Sequence, residues 1–170
     1  DAIETRWGDG AHWYKRLPRA LHYTGHVREL KEYIAAEARF PGRNAPIARM
    51  LGIVETDLGL GLVAEKVRAA HGRGLAPTLA ERYQREHGFS VAIEHDLRRF
   101  LDDLLACRVI VGDMHAWNIV HGSDSRGGPR FVQVDGFGEK HMIPFTSMSR
   151  RANAYNTRKL YRRMREQLRE

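Results

Sequence analysis

Two neighbouring stretches decide the fold. The first is Val109-Ile110-Val111-Gly112-Asp113-Met114-His115-Ala116-Trp117-Asn118-Ile119-Val120-His121, and the second is Phe131-Val132-Gln133-Val134-Asp135-Gly136-Phe137-Gly138. Val109–Val111, Asn118–His121 and Phe131–Val134 are short apolar runs that read as strands. Gly112–Trp117 reads as a polar loop, and Gly122–Pro129 as a turn-rich connector. Asp113 ends the first strand, Asn118 follows five residues later, and Asp135 ends the third strand 22 residues beyond Asp113. Packed side by side, such strands bring all three polar side chains to one edge. Two carboxylates and an amide meeting there suit phosphoryl transfer: one carboxylate orients an acceptor hydroxyl and takes its proton, while the amide and the other carboxylate hold Mg²⁺ against nucleotide phosphates. Taken singly, each residue reads equally well as turn chemistry. The specificity lies in the combination with strand context and with Asp135-Gly136-Phe137-Gly138.

Working outward, Val27, Leu30, Ile34 and Ala38 recur at helical spacing and predict a helix from Val27 to about Arg39, closed by Phe40-Pro41-Gly42. Residues 50–67 predict a β-hairpin turning at Asp57-Leu58-Gly59-Leu60. A short helix is expected over Thr78–His87. A longer one is capped by Ser90 and carries the stripe Leu97, Phe100, Leu101, Leu104 and Leu105. Upstream, Ala11–Leu17 reads as a short strand. Downstream, Ser149 caps a basic helix whose sparse apolar face is Tyr155, Leu160, Tyr161, Met164 and Leu168.

The 170 residues fit one domain or one domain split into two lobes. At 42% hydrophobic and 29% charged, the chain can fill a core and is too balanced for disorder. The single cysteine, Cys107, excludes an internal disulfide and a cysteine zinc site, so a reducing, cytoplasmic compartment is expected. No run approaches the roughly 20 apolar residues of a membrane span. The start lacks both an initiator Met and a signal pattern, and a fragment is the expectation. The formal charge of +7 suggests an anionic partner. Its distribution is uneven: residues 149–170 hold eight basic and two acidic groups, leaving 20 basic and 19 acidic groups in the first 148. The body is nearly neutral and the terminal helix is basic.

Gly112-Asp113-Met114-His115-Ala116-Trp117-Asn118 resembles the Gly-Asp-x-His-x-x-Asn catalytic loop of small-molecule and atypical kinases in the protein-kinase-like superfamily. Val134-Asp135-Gly136-Phe137-Gly138 resembles the metal-binding loop that follows it. The order upstream agrees. Lys15 is similar to the ATP-anchoring lysine and Glu29 to the helix glutamate that pairs with it. The hairpin 50–67 resembles the last two strands and hinge of the small lobe, which brings Glu65 and Val67 to the nucleotide. More narrowly, Arg28-Glu29-Leu30-Lys31-Glu32-Tyr33 and Val54-Glu55-Thr56-Asp57-Leu58-Gly59 resemble the PhoP-regulatory-network YrbL-like family. The resemblance implies an α+β, protein-kinase-like two-lobe fold, reduced at both ends. Its parts are a small lobe over 1–67, a helical lobe over 68–148 and the basic helix over 149–170. It further implies ATP and Mg²⁺ as cofactors and a hydroxyl acceptor of unspecified chemistry. Asp113 is then the base, Asn118 and Asp135 the metal ligands, and Lys15, Glu29, Glu65 and Val67 the nucleotide contacts.

The chain departs from the pattern in two places. Trp7-Gly8-Asp9-Gly10 lacks the Gly-x-Gly-x-x-Gly spacing of a phosphate loop. Gly112, where regulated kinases carry arginine, removes the cation that meets a phosphorylated activation loop. Two other functions therefore stand beside phosphotransfer. One is a degenerate kinase fold that binds nucleotide or a partner as a regulator. The other is a binder of nucleic acid or an anionic surface through residues 149–170. Lys66 rivals Lys15 as the nucleotide lysine, but the helix bearing Glu29 precedes it, and the kinase order requires that helix to follow. His115 is expected to brace the loop by hydrogen bonding, His121 to point away from Asp113, and Cys107 to be buried and inert.

Overall fold

The structure is a computed structural model that describes residues 23–70, 74–139 and 145–170. Lys15, the expected strand Ala11–Leu17 and His141 lie outside the described residues. The expected helix near Val27 starts one turn earlier, as α1 (Thr24–Arg39). It is followed by the hairpin β1 (Met50–Thr56) and β2 (Gly59–Ala64), antiparallel with Thr56 opposite Gly59. The strand pairing ends at Ala64, three residues short of the expected limit, because Glu65–Val67 turn toward the rest of the chain. Glu65 N–H donates to Arg49 O at 2.8 Å, while Val67 O accepts from Ala76 N–H at 3.1 Å.

α2 (Leu79–Arg85) opens with a capping box. Thr78 Oγ1 accepts from Glu81 N–H, and a Glu81 carboxylate oxygen accepts from Thr78 N–H. α3 (Val91–Ala106) is capped by Ser90, whose Oγ accepts from Ile93 N–H at 3.2 Å, a bond worth about 1 kcal/mol. Its buried stripe is Ile93, Leu97, Phe100 and Leu104, with Leu101 and Leu105 only partly covered. Burying each such side chain stabilises the fold by about 1.5–3 kcal/mol.

Asn118 belongs to a 3₁₀ turn, Ala116–Asn118, rather than to the strand expected to start there. That strand is β3 (Ile119–Asp124), and it pairs with β4 (Gly127–Gln133). The expected connector Gly122–Pro129 is therefore largely strand. Asp124 makes this possible: its carboxylate, 2% exposed, takes a two-pronged bond from Arg130 at 2.8 and 2.9 Å across the ladder. A short helix, α4 (Phe145–Met148), precedes α5 (Arg150–Gln167), which Ser149 caps by accepting from Ala152 N–H. The result is a mixed α+β fold, with two separate two-stranded antiparallel sheets among the described residues. α3 packs against both β4 and α5, and Ile47, Phe100, Phe131, Ile119 and Met164 meet in one core. Among the described residues no helix is long and apolar enough to cross a membrane.

Residues 108–111 form the approach to Asp113. They have little strand pairing of their own: among the described residues their bridge is Val111 with Phe137. Polar side chains from two helices hold them instead. Buried Glu32 of α1 accepts from Ile110 N–H at 3.0 Å and from Arg39, which also donates to Arg108 O. On the other side, Asn153 of α5 donates to Arg108 O and Val109 O, and Asn156 donates to Val111 O at 3.1 Å. Of the face expected for the basic helix, Tyr161 and Met164 are buried and Leu160 and Leu168 pack against the core, and Tyr155 is the exception. Tyr155 is 66% exposed, and Asn153, Thr157, Tyr161 and Met164 are the buried positions, because the core on that side offers carbonyls to satisfy.

Burial holds the Glu32 carboxyl above its ordinary range despite Ile110 N–H and Arg39. The folded state therefore binds more protons than the unfolded one, so this group's contribution to stability falls as pH rises above about 4.5. Glu32→Gln keeps an acceptor for Ile110 N–H and removes the charge. Urea midpoints between pH 5 and 7 are expected to decline less steeply in the variant than in the wild type, whereas parallel curves would contradict this account. Glu32→Ala leaves Ile110 N–H unpaired and is expected to cost about 1–3 kcal/mol.

Candidate functional site

The edge built by these elements is a cleft of about 190 Å³, lined by Glu29, Arg28, Asp113, Asn118, Asp135 and Gly136. The three residues read from the sequence as one constellation thus share one cavity. The reason is a short antiparallel register between the segment ending at Asp113 and the segment following Asp135. Gly138 N–H donates to Ile110 O at 2.7 Å. Gly136 O accepts from both Gly112 N–H at 3.0 Å and Asp113 N–H at 2.7 Å.

Gln133, the last residue of β4, completes the lock. Fully buried, its Nε2 donates to Asp113 O at 2.7 Å and to Asp135 O at 2.9 Å. One amide thereby ties together the backbones of both acidic residues. Asn118 is fixed separately: its N–H donates to His115 O, and its carbonyl accepts from Val134 N–H at 2.8 Å. Glycine is required at two points of the loop. Gly136 has φ +80°, and a Cβ there would stand 2.8 Å from Asp113 O. Gly138 has φ +98°, and a Cβ there would stand 2.8 Å from Arg28 O.

α1 closes the cleft from above. Glu29 Oε1 accepts from Gly136 N–H at 3.2 Å, as does the Asp135 carboxylate from its own side of the loop. Whether Lys15 pairs with Glu29 lies outside the described residues. His115 Nε2 stands 3.1 Å from Asp113 Oδ1, so the histidine expected to brace the loop lies beside that carboxylate. His121 points elsewhere: it meets Asp96 at 3.1 Å and lies edge-on to Phe131. Burial, reinforced by Arg82, pushes its imidazole below the ordinary value. Cys107 is buried at 4% exposure, and burial raises its thiol. Lys66 is exposed.

A second cavity of about 340 Å³ continues from the first. It shares Gly25, Glu29 and Asp135 with it and reaches Met50, Leu62 and Ala64 on the hairpin. One end of the combined cleft is thus acidic, and the other is walled by aliphatic side chains. Glu65 lies just past Ala64, with its carboxylate turned away onto the β3–β4 turn. There it accepts from Ser125 N–H at 2.8 Å and Ser125 Oγ at 2.6 Å, bonds that hold it below the usual carboxylate range. Val67 is buried with Ala76 and Val132. Any contact that Glu65 makes in the cleft is therefore left to its backbone.

Sequence reasoning missed Gln133, Glu32, Asn153 and Asn156, which act on the site through the backbone. Glu32 and Asn153 carried a signal: each is a polar residue four positions from a buried helical one, Ala36 and Thr157 respectively. Gln133 sat inside an apolar run, where a buried amide needs carbonyls to bond.

Asn118 and Asp135 are oxygen donors of the kind a hard divalent cation takes. Among the described residues no three carboxylate, imidazole or thiol groups are arranged to hold one metal ion by themselves. A cation here would therefore draw on these two side chains together with phosphate and water, which is the coordination Mg²⁺ ordinarily keeps. The residues fit that ion.

Comparison with known proteins gives one family: the sequence model described as PhoP regulatory network protein YrbL matches residues 11–169. No curated protein matches the chain.

Proposed function

The chain belongs to the YrbL family of PhoP regulatory network proteins, and from that premise we propose that it is a kinase-like phosphotransferase, moving the γ-phosphoryl group of ATP to a hydroxyl. The observation that carries this reading is the double tie between the acidic loops. Gly136 O and the Gln133 amide hold Asp113 and Asp135 in fixed relation at one cleft. Phosphoryl transfer depends on positioning and charge more than on covalent chemistry, so rigid placement of two carboxylates and an amide is what it asks of a protein.

In this reading the hairpin and α1 form the smaller lobe, and α2, α3 and the catalytic loops form the larger one. The base of the nucleotide rests against Met50, Leu62 and Ala64, with the backbone of residues 65–67 at its edge. Lys15 lies outside the described residues; by the resemblance it would contact the α and β phosphates, with Glu29 as its partner. Asn118 and Asp135 would hold Mg²⁺, which would supply positive charge against the nucleotide phosphates. Asp113 accepts the proton of the acceptor hydroxyl as its oxygen attacks phosphorus, and His115 keeps that carboxylate turned into the cleft.

The family description supports a second reading, in which the same cleft binds nucleotide and the protein regulates a partner without transfer. Incubation with Mg²⁺ and γ-labelled ATP, against a panel of sugars, aminoglycosides, lipid head groups and proteins, separates the two. The transferase is expected to label an acceptor in a Mg²⁺-dependent reaction and to lose at least about 10²-fold of that rate in Asn118→Ala. ATP binding without transfer or hydrolysis would favour the regulator. Absence of ATP binding would overturn both.

A further inference from the structure

α5 uses one side to hold residues 108–111, through Asn153 and Asn156, and leaves a different set of residues facing outward. Arg151, Tyr155, Arg158 and Arg162 follow the spacing i, i+4, i+7, i+11 and so form one stripe along about 16 Å of helix. All four are exposed. Among the described residues none of these arginines makes an ion pair, whereas Arg165, one turn on, is engaged by Glu94. The stripe does not border a flat surface. Together with Leu101 of α3, Ala154 and Tyr161, it lines a groove of about 540 Å³ between α3 and α5, at the end of the chain that carries six of its seven net positive charges.

From this we infer that the α3–α5 groove is a docking site for an acidic segment of a partner protein, one that places an apolar side chain against Leu101 and Tyr161 and carboxylates against Arg151, Arg158 and Arg162. Charge complementarity selects the occupant. A second copy of this chain would bring its own positive charge to a positive groove. A nucleic-acid backbone would satisfy the arginines and leave the aliphatic wall unused. A peptide with glutamates around a leucine or phenylalanine satisfies both, because guanidinium forks bind carboxylates in two-pronged fashion and the groove removes the apolar side chain from water. Tyr155 sits between the arginines and supplies a rigid contact of the sort concentrated at protein interfaces. The inference does not depend on nucleotide chemistry in the cleft.

The test is fluorescence anisotropy with a labelled helical peptide that carries leucine and phenylalanine one turn apart and glutamates on both flanks. Unlabelled competitors are the same peptide with its two apolar residues replaced by serine, an oligothymidine of twenty nucleotides, and phosphatidylserine vesicles. The expected result is saturable binding that weakens with salt, loses at least about tenfold in affinity in Arg158→Glu/Arg162→Glu and in Tyr155→Ala, and is not displaced by the serine peptide. These side chains are exposed, so unchanged melting of the variants certifies that the loss is local. Failure of the peptide to bind, or equal binding to the variants, would overturn the assignment. Displacement by oligothymidine or vesicles at lower concentrations than the parent peptide would also overturn it and would make the stripe a nucleic-acid or membrane surface.

Discussion

Asp113→Asn is expected to lower the rate of ATP-dependent phosphoryl transfer by about 10²–10⁴-fold while leaving the KM for ATP within about twofold. The size follows from the role. A positioned base that accepts a proton in the transition state contributes about that factor, and an amide of the same shape accepts none. The expectation of an intact nucleotide site follows from the geometry. Asp113 is held in the loop by its backbone, through its N–H to Gly136 O and its carbonyl to Gln133 Nε2, and neither bond involves the carboxylate. His115, whose Nε2 stands 3.1 Å from Asp113 Oδ1, can face an asparagine oxygen at the same place. A variant whose rate fell within threefold of wild type would remove Asp113 as the base, and a KM that rose with the loss of rate would reassign it to binding.

Asp135→Ala is expected to act on the metal rather than on the proton. Mn²⁺ can stand in for Mg²⁺ at oxygen ligands. Its free-ion paramagnetic signal, titrated in the presence of a non-hydrolysable ATP analogue, reads the affinity directly. Changes to groups that merely support a ligand cost about 10–100-fold in metal affinity, so loss of the ligand itself is expected to cost ~100-fold or more. Its neighbours give a control. Gln133→Leu removes the two donations to the carbonyls of Asp113 and Asp135 and leaves both carboxylates present. Its effect on Mn²⁺ affinity should be the smaller of the two. An Asp135→Ala protein with wild-type Mn²⁺ affinity would make this aspartate a loop residue whose carboxylate serves Gly136 N–H alone.

The cluster was legible in the sequence because its parts lie close along the chain. Asp113, Asn118 and Asp135 sit at the ends of short apolar runs, and in this fold the ends of those runs meet. Helices announced by a cap and a stripe were equally plain: Ser90 with Leu97, Phe100 and Leu104, and Ser149 with Tyr161 and Met164. What stayed hidden depends on contacts distant in sequence. Gln133, Glu32, Asn153 and Asn156 bond to backbone atoms 20 to 78 residues away, and an apolar-periodicity argument scores such residues as surface. Tyr155 shows the reverse error, an aromatic assigned to the buried face because its spacing from Tyr161 was not weighed against Asn153 and Thr157. The turn of the β3–β4 hairpin falls inside the expected connector, but the strands on either side of it stayed hidden, because Gly127, Gly128 and Pro129 mask a strand braced by the Asp124–Arg130 pair. The charge total of +7 was informative only after division, since it describes α5 and says little about the cleft.

In the proposed function the cleft between the hairpin and the Asp113 and Asp135 loops is a Mg²⁺–nucleotide site. The most direct measurement is thermal unfolding of the wild type and Asp135→Ala with ATP alone, Mg²⁺ alone and both together. At 100 times its dissociation constant a ligand stabilises by about 2.7 kcal/mol, which for a chain of this size raises the midpoint by several degrees. That rise is expected for wild type with ATP and Mg²⁺ together, with a much smaller one for either alone and none that requires metal in Asp135→Ala. Equal midpoints for the wild type under all three conditions, or an undiminished Mg²⁺-dependent rise in Asp135→Ala, would contradict that assignment.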